Sequence, residues 1–382
     1  MKKIIITALL IFVSVIRVYA VEYSFTQSER TAERSNVAEK WRELVSSLPE
    51  EERDELSDID ICNPKESVET VKEKLNFSYW TDKIFSGFLA SAKDAVTSFI
   101  PIFSLIFIMA IAESMSSSLS SDGIKKTFST YAMLCAGVSL FSVTYALIDY
   151  SASHLLKLCS IMNFMTGVME AVYIVEGAIT SATVSTQAVM TAITIIGNFA
   201  GQILTPLCRA LFTLGAVSSV CNESKLNGVA SSINKFTMRL IQIMSMVFSF
   251  IMGAQSVLSK SADSFGMRAA RFAIGSFVPV AGGMISEMYA TIKAGTSLIR
   301  ESAGIGGMIV LLLMFIPGII PVLIFRFSLF TAGMCADMLG LEKLSSLFGS
   351  VKKTAEILCG IILYTSLMFF LTVIIFTKST TG

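Results

Sequence analysis

Between Ala95 and Phe376 the chain runs repeatedly into apolar stretches longer than most soluble core helices: 95–112, 127–148, 158–175, 186–205, 240–258, 303–325 and 357–376. At about 1.5 Å of rise per residue, a helix of about 20 residues spans the ~30 Å hydrocarbon core of a bilayer. Lipid offers no partner to a backbone N–H or C=O, so stretches of this length have one economical solution, the helix. Two shorter stretches, 207–221 and 272–286, are interrupted by polar residues or proline and read as half-spans, re-entrant segments or interfacial helices. The expected fold is all-α and polytopic in the membrane, with six to eight crossings and one or two re-entrant or broken segments. Composition agrees, since 53% of the residues are hydrophobic and 15% are charged, against about 25% charged in soluble domains.

The formal net charge of +1 leaves no basic field to hold nucleic acid. It also conceals a partition: residues 21–83 hold 16 acidic and 9 basic side chains, residues 84–382 hold 13 and 18. Three parts follow: residues 1–20, 21–83 and 84–382. Met1-Lys2-Lys3, the apolar run Ile4 to Ile16 and the exit Val18-Tyr19-Ala20 read as a secretory signal peptide cleaved after Ala20. The acidic part is then extracytoplasmic. Val37, Trp41, Leu44, Val45 and Leu48 recur at helical spacing before Pro49, and Val68, Val71 and Leu75 form a second stripe. A unit this small is marginal alone and is expected to dock on the membrane or a neighbour. Tyr79 and Trp80 lead it to the headgroup level.

Reactive chemistry finds little footing. His154 is the only histidine, no phosphate-binding GxxxxGK[ST] occurs, and the seven cysteines include no CxxC. We expect no catalytic residue, metal or cofactor. Glu113, Glu170, Glu176, Glu287 and Asp337 punctuate apolar sequence, and a carboxylate at bilayer depth faces a cavity, a partner or the end of a helix. Glu170 is the most embedded, and with Glu287 it is a candidate for a conduit. Pro317-Gly318 and Pro321 are expected to break the 303–325 helix near its centre, either as a packing kink or as a break beside water. Gly197 and Gly201 form a GxxxG, a candidate surface for helix association within the fold or between copies. Lys125 and Lys126 mark the cytoplasmic end of the first crossing, and the tail after Phe376 is expected outside. Lys225, Lys235 and Arg239 compete with Lys260, Arg268 and Arg271 across one intervening span, so charge leaves the middle of the chain undecided.

The string from Arg268 to Glu287, RAARFAIGSFVPVAGGMISE, resembles the signature of the stage III sporulation protein AE family, and the order of features resembles that family over nearly the whole chain. The resemblance implies a polytopic protein of endospore-forming bacteria, made in the mother cell and sited in the membrane around the forespore. It also implies partners: the other membrane proteins of the stage III sporulation A operon with its ATPase, and indirectly the forespore stage II sporulation protein Q. Together they form what is described as a channel or feeding tube. The family defines no catalytic residue to carry over. Read physically, Arg268 and Arg271 stand at the entrance of the segment, Gly275 lies within it, Pro279 forbids a regular helix, and Gly282-Gly283 permits a turn or close approach.

The leading reading is therefore a channel-complex subunit that acts by assembly and passage, with lipid and a second copy of itself among its contacts. A self-contained solute permease built on the broken 303–325 helix and the embedded carboxylates is the alternative, and an intramembrane enzyme is the third. Replacing Gly282 and Gly283 together by Leu is expected to abolish spore formation while the protein still accumulates. A stable double variant with normal spore yield would remove the segment from the functional list.

Overall fold

The computed structural model describes residues 27–54, 56, 59, 61, 77–118, 121–176, 178, 179–221, 224–277 and 282–378, with the side chains of 27–33, 51, 179–181, 220–227, 256–297 and most of 77–99 outside that description. The signal peptide and the Val68, Val71, Leu75 stripe lie outside the described residues. What is described is helical, without strand: α1 Gln27–Ser46, α2 Glu50–Asp54, α3 Phe77–Ser117, α4 Asp122–Val175, α5 Ile179–Asn198, a π-helical turn Phe199–Leu204, α6 Thr205–Cys221, α7 Ser224–Phe277, α8 Gly282–Met338 and α9 Glu342–Lys378. Among the described residues six rods are long and apolar enough to cross a membrane: Ile100–Ser117, Asp122–Val175, Ala182–Ser219, Gly228–Gln255, Leu298–Met338 and Glu342–Thr377.

Neighbouring rods alternate in direction. Ser116 reaches the Lys125 carbonyl across the α3–α4 turn, Gly197 of α5 meets Cys159 of α4, and Gln255 of α7 donates to Ser185 of α5 at 2.6 Å. Lys343 at the start of α9 lies 3.4 Å from Ser129 near the start of α4, while Tyr173 and Phe376 meet at the far ends of the same two helices. The bundle is thus six rods side by side, with the N-terminal unit and the end of α9 at the same end. That alternation resolves the middle of the chain, where counting basic residues does not.

Two sequence expectations are corrected here. The stretches 127–148 and 158–175 form one helix, because residues 149–157 contain neither glycine nor proline to stop it. At about 1.5 Å per residue α4 is about 80 Å long and exceeds any bilayer. The stretches 186–205 and 207–221 likewise make one rod. Pro206 has no N–H, and the ladder accommodates it by widening to the π-helical turn, with the Thr205 hydroxyl donating to the Ala200 carbonyl at 2.9 Å.

Nor does the Pro317–Pro321 segment break its helix, since α8 runs through both residues. Each proline removes a ladder donor, freeing the carbonyls of Leu313 and Pro317. The Tyr150 hydroxyl of α4 donates to the Pro317 carbonyl at 2.7 Å, so one orphan is satisfied from another helix. Gly318 opens a notch beside it, and the His154 ring fills the place a Cβ would take. His154 is buried, with Nε2 lacking a hydrogen-bond partner. The proline pair is a crossing point of α4 and α8 and not a gap.

Two layers of ion pairs divide the bundle along its length. Arg209 pairs with Asp149, and Arg326 with Glu356 at 3.2 Å. Toward the N-terminal unit, Arg300 pairs with Glu176. Between these layers α8 holds no charged residue from 302 to 325, α9 none from 357 to 377, and α5 with its π turn none from 177 to 208. Residues 302–325 reach about 36 Å, which matches a hydrocarbon core. A methyl at Gly318 would collide with His154, and overpacking of this kind costs about 1–3 kcal/mol. Gly318→Ala is expected to lower the detergent-solution melting temperature and His154→Ala in the same chain to restore part of it, whereas an unchanged Tm for Gly318→Ala would refute the crossing.

Candidate functional site at the N-terminal end of the bundle

The sequence Gly304-Ile305-Gly306-Gly307 gives α8 a flat seat, and three other elements occupy it. A Cβ at Gly304 would run into Thr377 of α9, and one at Gly307 into Met165 of α4. At Gly306 it would stand 2.7 Å from the Trp41 ring of α1. Glycine is required here for close approach, since backbone angles alone would admit other residues. The Trp41 indole N–H donates to the Ile59 carbonyl at 3.0 Å, tying the chain after α2 back onto α1. Val37, Trp41, Leu44 and Leu48 are buried with Leu158, Met162, Met165 and Val172 of α4. Burying each such side chain is worth about 1.5–3 kcal/mol. The small acidic unit therefore docks on the bundle, as its marginal size requires.

Above the glycine seat lies the buried ion pair. Glu176 caps the C-terminus of α4, where the helix dipole disfavours a carboxylate. Arg300 of α8 answers that charge, and the two side chains are 4% and 6% exposed. The guanidinium also sits over the Tyr173 ring at 5.4 Å. The Tyr173 hydroxyl donates to the Phe376 carbonyl at 2.7 Å, satisfying a group that the last turn of α9 leaves free. One cluster thus locks the ends of α4 and α9 to α8.

Glu170 lies one to two turns below, half-buried, with Thr186 of α5 as its hydrogen-bond partner and Lys40 of α1 nearby. Lys40 pairs with Glu43 at 2.9 Å, and that hydrogen bond holds the ammonium above its ordinary value. Gly197 makes only an ordinary contact with Cys159, and nothing stands within 4 Å of a Cβ at Gly201. The GxxxG is therefore not a close-approach seat within the chain, because the register turns Gly201 outward. Arg268, Arg271 and Gly275 belong to α7, and Gly282, Gly283 and Glu287 to α8. Their side chains, and Pro279 altogether, lie outside the described residues. The glycines that do make close contacts are 304, 306, 307 and 318, with 215 against Ser350, and their partners depend on register. Among the described residues no three His, Cys, Asp or Glu side chains gather as a metal site.

The profile of the family described as stage III sporulation protein AE matches residues 62–380. The chain belongs to that family. It is also similar to stage III sporulation protein AE of Bacillus subtilis (strain 168), with 23% identity over 351 residues that cover 90% of this chain and 86% of that protein. No solved structure matches it. Family membership implies a role in sporulation, and the six apolar rods make this family member a membrane protein.

Removing one partner of a buried ion pair strands the other, at a cost of about 3–5 kcal/mol. Glu176→Gln or Arg300→Met is expected to lower Tm strongly in detergent, and the double variant Glu176→Leu with Arg300→Met to recover much of the loss. Single variants that melt like the unaltered protein would show that the pair does not hold the end of α4 to α8.

Proposed function

We propose that this family member is a membrane subunit of a channel-like complex used in endospore formation, acting by assembly and passage and not by catalysis. The match to the sporulation family over residues 62–380 carries the reading, and a bundle of six long apolar rods supports it. Its proposed place is the mother-cell-derived membrane around the forespore. Lys125, Lys126 and Lys343 gather at the end away from the N-terminal unit, and basic residues favour the cytoplasmic face. The N-terminal unit and the end of α9 then face the space between the two membranes, where α1 is available to partners. Those partners are the other membrane proteins of the stage III sporulation A operon, its ATPase, and, at one remove, the forespore stage II sporulation protein Q. The continuity of α8 through Pro317 and Pro321 takes away the helix break on which a self-contained permease would rest.

A clean deletion in the endospore-forming host, followed through engulfment with a late forespore reporter and rescued by an intact copy, tests this. The expected outcome is completed engulfment followed by forespore collapse and a silent reporter. Normal spores at normal yield in a host without a second copy would overturn the proposal.

A further inference from the structure

At the depth between the two ion-pair layers, the outward faces of the rods differ in kind. On one side α7 exposes Ile243, Met246 and Phe250 with Gln242 and Ser249 among them, and α9 exposes Leu363, Tyr364, Leu367, Leu371 and Ile374. A face this apolar suits a lipid neighbour. On the other side stand α4 and α5, neighbours through Cys159–Gly197 and Glu170–Thr186. Exposed on α4 are Ser153, Lys157, Ser160 and Asn163, with Leu156 the one apolar residue among them. Exposed on α5 and its π turn are Gln187, Thr194, Asn198 and Gln202, with Gly201 bare and Ile203 at the margin.

The spacing makes each set a face. Positions 187, 194 and 198 fall within about 40° of one another at about 100° per residue, and 187 to 202 covers about 22 Å of depth. The Thr194 hydroxyl is satisfied by its own helix through the Met190 carbonyl at 2.8 Å, but the amides of Gln187, Asn198 and Gln202 extend outward. An amide facing hydrocarbon has no partner, so lipid is the wrong neighbour for this face. Lys157 sits about 12 Å along α4 from the Asp149 layer, and no carboxylate among the described residues is within ion-pair distance of it. A dry contact with a second copy would bury that ammonium unpaired, whereas water solvates it and the amides alike.

We infer that the α4–α5 face of this chain is one wall of a water-filled path through the membrane, closed by neighbouring subunits, that admits small polar solutes and favours anions through Lys157. The inference rests on the channel-subunit reading and deepens it. Uncharged donors and acceptors line most of the wall and replace a solute's hydration without holding it tightly, while the single cation in the wall biases the sign of what enters. The Glu170–Thr186 contact and the Lys40–Glu43 pair stand where the wall meets the N-terminal unit.

The test uses the full chain in native membranes with its partner subunits present. Single cysteines at Ser160, Asn163, Thr194 and Asn198, and at Ile243, Leu367 and Leu371 on the opposite side, are labelled with membrane-impermeant thiosulfonates over the baseline of the unaltered protein. The wall positions are expected to react at least about tenfold faster than the opposite side. The anionic reagent should outpace the cationic one at Ser160→Cys and Asn163→Cys, and Lys157→Gln should abolish that preference without slowing the cationic reagent. Slow labelling on both sides, with quenching of wall-position fluorophores by brominated lipid, would place the face in lipid and overturn the inference. Slow labelling with ready disulfide formation between copies at Asn163→Cys or Asn198→Cys would make it a dry subunit contact and overturn it as well. Labelling is read without reference to spores, so an unlabelled wall in a chain whose deletion still collapses the forespore would reject the path and keep the channel subunit. A labelled wall with a normal deletion phenotype would do the reverse.

Discussion

Close approach at Gly304, Gly306 and Gly307 is the constraint on which the rest of the bundle depends. Helices immersed in lipid gain no hydrophobic free energy from meeting one another, so contact has to come from close packing and from polar groups. α8 supplies both. Its glycines bring Thr377, Trp41 and Met165 against its backbone, and its Arg300 closes the charge at the end of α4. Further down the same helix, Gly318 receives His154 and the Pro317 carbonyl receives Tyr150. Every rod and the N-terminal helix are arranged about this one element or about its neighbours α4 and α9.

A second consequence concerns depth. Ion pairs at Asp149–Arg209 and Arg326–Glu356 on one level, and at Glu176–Arg300 on another, are tolerated because each charge meets its opposite. Between them the rods hold almost no charge, and Lys157 and Glu170 are the exceptions on α4. The helices extend well beyond this zone, with exposed Phe107, Ile108, Ile111, Tyr131 and Val138 on α3 and the first part of α4. A bilayer of ~30 Å cannot cover an apolar surface on rods as long as α4, so part of that surface is available to other proteins of a membrane assembly.

Some of the fold was legible because it obeys local periodicity. The buried face of α1 follows from Val37, Trp41, Leu44 and Leu48 recurring every three or four residues, and the helical crossings follow from uncharged length. Pro317 and Pro321 were misleading for a physical reason: the freed Pro317 carbonyl is satisfied by Tyr150, which lies 167 positions earlier in the chain. Gly197 and Gly201 make no close contact within the chain, because small residues do so only when the register turns them toward a partner.

The sequence by itself determined that the chain is helical, membrane-embedded and assembled from an acidic leading unit and a long apolar remainder, since charge, length and period act over a few residues at a time. Only the tertiary structure decided which rods merge, which glycines are seats, and which side of the bundle is polar. Ser160, Asn163, Thr194 and Asn198 are averaged into the hydropathy of their spans. Whether they face the core or the outside depends on how α4 and α5 are rotated against α7, α8 and α9, and that rotation is set by contacts between residues far apart in the chain.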